Sequence, residues 1–259
     1  MVNLRSRVTR LGVLDIGSNT IHMLIVDAAP GARPDPEAST KSTVRLMQYV
    51  KDDGSIKKSG IEAILTAVDQ CMELAEEYDI TQLLAMATSA IKEAPNSNKI
   101  LRKIEERIGQ SVTVLSGTDE ARLTFLAARR WYGWDAGRLL MLDIGGSSLE
   151  VAMGSDEEPT VALSAAAGAC RITREYLPEG TASVDELEVV RKKVRRILEP
   201  MVDAFPKSKH PAHAVGTSKT FRSLARLAGA VLRQSGREDT WIMTREQLED
   251  WIPRIEPIE

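Results

Sequence analysis

Two short segments carry the residue types of an anion site. Asp15-Ile-Gly-Ser-Asn-Thr20 and Asp143-Ile-Gly-Gly-Ser-Ser148 each follow one apolar run and precede another. A glycine-bearing turn with Ser and Thr offers several backbone N–H groups and hydroxyls within a few ångströms, which makes an anion cradle. The Asp ending each preceding strand is a hard oxygen ligand for Mg²⁺, an ion that keeps several waters and shares substrate phosphates. Glu150 follows Asp143 by seven residues, so a turn that folds the chain back returns it to the same end of the hairpin. Taken singly, each segment reads as an ordinary hairpin turn with a capping Asp. The pair of matched copies favours a phosphate clasp.

The elements that must position these residues repeat with them. Leu14-Asp15-Ile16-Gly17, flanked by Leu11–Leu14 and Ile21–Val26, returns a domain's length later as Leu142-Asp143-Ile144-Gly145 with the same apolar flanks. A strand–turn–strand unit repeated at that distance predicts two related α/β halves, 1–134 and 135–259. Residues 27–43, rich in Pro, Gly, Ser and Thr, read as a loop, and Asp53-Gly54 as a turn. Ile61, Ile64, Leu65, Val68, Met72 and Ala75 recur at helical spacing and predict a helix to about Tyr78. A buried strand is expected at Leu83–Thr88, a helix over about 98–108, a short strand at Val112–Leu115, and a helix from near Thr118 that stops at Gly133. Further on, the capping box Ser183/Glu186 opens a helix to about Ala204. Ala212–Ser218 reads as strand and turn into a helix Lys219–Leu227, and a second box, Thr244/Gln247, starts a last helix.

Composition narrows the class. The chain has 259 residues, 43% apolar and 27% charged, with a formal net charge of −3, which suits a two-domain globular protein and disfavours a basic nucleic-acid binder. Cys71 and Cys170 stand in no CxxC pattern and read as free buried thiols. The first residues run into a strand without a signal-peptide pattern, and no apolar run is long enough to span a bilayer, so a cytoplasmic protein without membrane partners is expected. There is no GxxxxGK[ST] loop. His210-Pro-Ala-His213 lacks further ligands nearby and reads as a loop. Arg191-Lys-Lys-Val-Arg-Arg196 reads as one solvated helix face, and Lys41, Arg45, Lys57, Lys58, Arg129 and Arg130 as scattered candidates for a basic channel.

Five ordered motifs add a family resemblance: Asp15–Thr20, Thr88-Ser-Ala-Ile-Lys-Glu-Ala-Pro-Asn96, Ser116-Gly-Thr-Asp-Glu-Ala-Arg-Leu123, Asp143–Glu150 and Val215-Gly-Thr-Ser-Lys-Thr220. Over residues 10–228 the chain resembles the exopolyphosphatase / guanosine pentaphosphate phosphohydrolase family, in its short actinobacterial form. That family lies within the actin, hexokinase and Hsp70 fold group. The resemblance implies two actin-like (ribonuclease H-like) domains facing across a cleft, the second short of its closing C-terminal helices. Glu120 matches the family's catalytic glutamate, although without the resemblance it is simply an acidic residue favourable at a helix N-terminus. Asp143 and Glu150 match its Mg²⁺ and phosphate-site carboxylates, with Asp15 as the corresponding ligand of the first turn. Gly17, Ser18, Asn19, Gly145, Gly146, Ser147 and Ser148 match its phosphate loops. Thr88 matches a cleft hydroxyl, and Gly216, Thr217 and Ser218 match the loop beneath the nucleotide in related kinases. Lys92 stands where Arg is common and keeps a phosphate-binding charge without the bidentate fork. Ser147 and Lys219 each replace a usual Gly.

The implied activity is release of terminal orthophosphate from inorganic polyphosphate by water that Glu120 activates. Mg²⁺ is the expected cofactor, with Mn²⁺ able to replace it. The rivals are a guanosine pentaphosphate 5′-phosphohydrolase, which would tie the chain to the stringent response, a catalytically weak polyphosphate- or nucleotide-binding protein, and a kinase of the wider fold group. Short family members often pair, so a homodimer is a further expectation, and no nucleic-acid partner is expected.

Overall fold

The computed structural model describes residues 8–29, 35–178, 183–205, 210–235 and 238–255. It resolves into two compact units, Met1–Ser116 and Gly117–Glu259.

The first unit contains β1 (Thr9–Ile16), β2 (Thr20–Ala28), β3 (Pro36–Thr43), α1 (Lys58–Glu77), β4 (Gln82–Ala87), α2 (Ser89–Lys92), α3 (Ser97–Ile108) and β5 (Thr113–Val114). The strands form one sheet in the order β3-β2-β1-β4-β5. The β1–β2 and β2–β3 pairs are antiparallel, whereas β4 returns parallel to β1 through α1, as a helical crossover allows. Alternation along β1 and β2 sends Leu14, Ile16, Ile21, Met23 and Ile25 to one face. There they pack with Ile61, Ile64 and Val68 of α1 and Ile100 and Ile104 of α3.

The expected loop over 27–43 is in part strand: β3 pairs with β2 from Pro36 to Thr43. Its Ser, Thr and Lys side chains bury little on either face, so no hydrophobic alternation marks it. Its hydrogen bonds to β2 hold it at the sheet edge, where a leading Pro is tolerated.

The second unit contains α4 (Gly117–Tyr132), β6 (Leu139–Ile144), β7 (Leu149–Gly154), β8 (Val161–Ala165), α5 (Ala169–Tyr176), α6 (Val184–Asp203), β9 (His213–Gly216), α7 (Lys219–Leu227), β10 (Val231–Ser235), β11 (Glu238–Ile242) and α8 (Arg245–Ile255). Its main sheet runs β8-β7-β6-β9, again three antiparallel strands with a parallel fourth beside the first of them. The registers match as well: Asp15 faces His22 across β1–β2, and Asp143 faces Glu150 across β6–β7. The two α/β units are the two actin-like halves.

Helix α4 sets the division between them. It lays Ala121, Phe125 and Ala128 on Leu139, Met141 and Ala152, so it belongs with the second sheet and not with the 1–134 half expected from sequence. Gly133, at φ 76°, returns its N–H to the Arg129 carbonyl and ends the helix. Both capping boxes form, Ser183 with Glu186 ahead of α6 and Thr244 with Gln247 ahead of α8.

Three smaller expectations change. Cys71 is buried, and burial pushes its thiol up to about 11, but Cys170 is exposed because α5 has no buried residue. His213 opens β9, within the strand read at Ala212–Ser218, and stacks on Tyr132 at 5.6 Å, so the loop reading of His210–His213 stops short of it. Arg129 is buried and donates to the Gly137 carbonyl, and Arg130 pairs with Glu157; both serve the fold. Among the described residues, no helix is long and apolar enough to cross a membrane, and no group of three or more His, Cys, Asp or Glu could hold a metal ion.

Candidate functional site

The two glycine turns share one backbone design. Gly17 N–H donates to the Thr20 carbonyl at 3.0 Å, and Gly145 N–H donates to the Ser148 carbonyl at 2.9 Å. In each unit, the segment after the third strand then occupies the outer carbonyls of the turn. Val44 and Arg45 donate to the Asn19 carbonyl, and Leu46 donates to that of Ser18. In the second unit Gly168 donates to the Ser147 carbonyl, Ala169 to Gly145 and Arg171 to Gly146, while Arg171 Nε–H reaches the Ser147 carbonyl at 2.8 Å. The carbonyls are thus taken, while none of the described backbone hydrogen bonds uses the amides of Gly146, Ser147 or Ser148. That is the arrangement an anion cradle needs.

The clamps themselves differ. Arg45 holds its place at φ 51°, ψ 56°, a left-handed conformation uncommon outside glycine. Gly168 works by close approach: a Cβ there would stand 2.4 Å from Ser147 C and Ser148 N.

In the first unit Thr88 donates its N–H to the Ile16 carbonyl, next to Gly17, and its buried Oγ1 has no hydrogen-bond partner among the described residues. Lys92 ends α2 and is exposed. Asp15 lies in a cross-strand row with His22 and Lys41. It keeps a solvent-exposed edge, which tempers the desolvation that pushes its carboxyl up, and Lys41 opposes that rise. Burial and Lys41 both lower the His22 imidazole.

The equivalent row of the second unit is Ser164–Glu150–Asp143, closed by Thr217 beyond the end of β9. Two carboxylates stand side by side, each held by a hydroxyl. Thr217 Oγ1–H donates to Asp143 Oδ2 at 2.6 Å, and Ser164 Oγ–H donates to Glu150 Oε1 at 2.8 Å. Glu150 is only 5% exposed. Desolvation pushes both carboxyls up. At Glu150 the Ser164 and Ser148 hydroxyls oppose that rise and the Asp143 charge adds to it; at Asp143 the Thr217 hydroxyl opposes it.

Helix α4 starts against this row. A Cβ on Gly117 would stand 2.4 Å from Ser164 Cβ and Oγ, so the helix backbone enters in contact with Ser164. Glu120 lies in the first turn that follows, where the helix dipole favours a carboxylate. The three residues matched to a nucleotide loop are engaged locally. Gly216 gives clearance to Phe221, Ser218 caps α7 by accepting from the Phe221 N–H, and Thr217 serves Asp143. Thr220 Oγ1–H ties α7 to the Ile144 carbonyl beside the second turn.

The second unit thus brings together Asp143, Glu150, Thr217, the turn Gly145–Ser148 and the α4 terminus with Glu120. The first unit brings together Asp15, Gly17, Ser18, Asn19 and Thr88. Sequence reasoning missed Gly117, Ser164, Gly168 and Arg171. Ser164 was reachable only through strand register, Gly117 stood in the Ser116–Leu123 motif without a role of its own, and Gly168 and Arg171 carry no local signal.

The Ppx/GppA phosphatase family model matches residues 24–259. The chain is 47% identical over 247 residues to "Exopolyphosphatase 1" of Mycobacterium tuberculosis, a match covering 95% of this chain and 72% of that protein. Among solved structures it is similar to an exopolyphosphatase from Cytophaga hutchinsonii, with 26% identity and a TM-score of 0.76 over 85% of this chain and 70% of that one. The Aquifex aeolicus member of the Ppx/GppA family, at 21% identity and a TM-score of 0.73 over 97% of this chain and 80% of that one, shares the fold. With two glycine turns of one design and a carboxylate pair, one of the two buried, beside the second, the chain belongs to the Ppx/GppA phosphatase family.

Proposed function

We propose that this chain is an exopolyphosphatase that releases terminal orthophosphate from inorganic polyphosphate. The observation that carries the reading is the Asp143–Glu150 pair, half-buried and buried respectively, beside a turn whose Gly145, Gly146 and Ser147 carbonyls are taken by the segment after β8. The name of the mycobacterial relative supports polyphosphate over guanosine pentaphosphate as substrate.

The donor set fits Mg²⁺. Two adjacent carboxylates offer only hard oxygens, their desolvation favours a bound cation, and the Thr217 and Ser164 hydroxyls fix Asp143 Oδ2 and Glu150 Oε1. Mg²⁺ is usually held by one or two carboxylates, with water and substrate phosphates completing its sphere. When bound, the ion supplies charge neutralisation on phosphate oxygens. Asp143 and Glu150 would hold it, and Asp15 offers a single further hard donor in the first unit.

The chain's own groups do the rest. The amides of Gly146, Ser147 and Ser148 bind phosphate oxygens and orient the chain end. Glu120, in the first turn of α4, aligns a water and takes its proton as the water oxygen attacks the terminal phosphorus. The phosphoanhydride P–O bond breaks, and the shortened chain leaves with the electron pair. Positioning and charge stabilisation carry the rate, with no covalent phosphoenzyme.

The test is Mg²⁺-dependent phosphate release from long polyphosphate, short polyphosphate and guanosine pentaphosphate, side by side with Glu120→Gln. The expected result is turnover of polyphosphate and a loss of about 10²-fold or more in the variant. Equal turnover by Glu120→Gln, or phosphate trapped on a side chain, overturns the mechanism. Preference for guanosine pentaphosphate overturns the substrate.

A further inference from the structure

We infer that Ser164 is a positioning residue that sets the Glu150 carboxylate and, through the same side chain, the entry point of the helix carrying Glu120. The inference deepens the proposed function and rests on its reading of Asp143 and Glu150 as a cation-holding pair.

Three observations converge on this serine. Ser164 pairs in register with Glu150 across β7–β8, and its Oγ–H donates to Oε1 at 2.8 Å. A buried glutamate beside a second carboxylate is repelled by that neighbour, so a donor on the far side is what keeps its oxygens in the row. The α4 backbone at Gly117 leaves no room for a Cβ against Ser164 Cβ and Oγ. One side chain therefore touches both the carboxylate and the first residue of the helix that presents Glu120. The corresponding position of the first unit holds Lys41, in register with His22. The hydroxyl thus accompanies the unit with two carboxylates and is absent from the same register of the unit with one.

A purely structural role fits poorly. Ser164 is solvent-exposed on an edge strand, so removing its hydroxyl opens no cavity and strands no buried donor. What it takes away is the Ser164 donor to Glu150 Oε1, leaving the Ser148 hydroxyl on the turn side to hold the carboxylate.

The experiment uses the full chain and three readouts: Mn²⁺ affinity without substrate by electron paramagnetic resonance, kcat and KM on polyphosphate, and the metal-free Tm. Ser164→Ala is expected to weaken Mn²⁺ binding and lower kcat by roughly tenfold each, the usual effect of losing a group that orients a ligand. KM and Tm are expected to stay near the parent values. Gly117→Ala is expected to lower kcat, and to cost much less in a Ser164→Gly background because the contact that it violates is gone.

Ser164→Ala with unchanged Mn²⁺ affinity and kcat overturns the positioning of Glu150. A Gly117→Ala cost that is equal in both backgrounds overturns the link to α4. A parent chain that binds no Mn²⁺ also overturns the inference. If the parent binds Mn²⁺, Ser164→Ala weakens it, and no polyphosphate is hydrolysed, the serine's role stands and the proposed function falls.

Discussion

In the first unit Asp15 shares its row with His22 and Lys41; in the second, Asp143 shares its row with Glu150 and Ser164. The turns at the ends of these rows are alike down to the glycine amide that closes them. Backbone design has been kept in both halves while side-chain charge has diverged. One row balances an acid against an imidazole and a lysine. The other crowds two acids together in a desolvated setting beside the Thr217, Ser164 and Ser148 hydroxyls, and it is there that the proposed cation would sit. The copies also differ in how the turn is clamped, by a left-handed Arg45 in one and by the bare backbone of Gly168 in the other.

The sharpest way to break this comparison is Glu150→Gln, which removes the second acid. Phosphate release is expected to fall by roughly 10³-fold, in the range for losing a main electrostatic group. Stability should move the other way. Burial raises the Glu150 carboxyl, so its contribution is fully present below the unfolded value and is lost as pH rises through the folded one. In metal-free buffer the variant should melt above the parent at neutral pH, with the gap closing as the pH falls into the ordinary carboxylate range. Calorimetry across pH checks the sign.

Gly168→Ala tests the second clamp. The added Cβ meets backbone atoms of Gly146, Ser147 and Ser148 that have no side-chain freedom to yield. The turn must shift, and kcat/KM on polyphosphate is expected to drop about 10²-fold, the scale of a misplaced binding group. Arg45→Gly tests the first clamp and has the smallest expected effect. It relieves a left-handed residue, so Tm should rise by about 2 °C, partly offset by the freedom glycine gains when unfolded. A large loss of activity there would show that the Arg45 side chain, and not its backbone, matters.

Where a residue's signal is local, the sequence carried it. Helix α1 follows its apolar period, α7 begins and ends as predicted, and the Ser183 and Thr244 boxes form. The Asp143–Glu150 pairing was legible because a four-residue turn leaves positions seven apart opposite each other. What escaped depends on partners distant in sequence. Strand β3 alternates only between half-buried and exposed, mostly small polar residues, so no apolar pattern announces it, and β2 supplies its bonds. Helix α5 has a glycine N-cap without a side chain and buries no residue, so neither a cap nor a period announces it. Ser164 stands fourteen residues from Glu150 with nothing between to connect them until the register is known. Arg129 looks like any surface cation until α4 is seen to turn it toward Gly137.

The two cores also differ in depth. That of the first unit runs continuously from β1 and β2 through α1 and α3, while that of the second is mainly α4 laid on β6 and β7, and α6 buries only Val190 and Met201. Segments with fewer buried apolar contacts open at lower free energy and exchange their amide hydrogens sooner. The carboxylate row therefore sits on the unit with the thinner described core, where amide exchange is expected sooner and where a ligand bound to the row would have more leverage on how often the strands open.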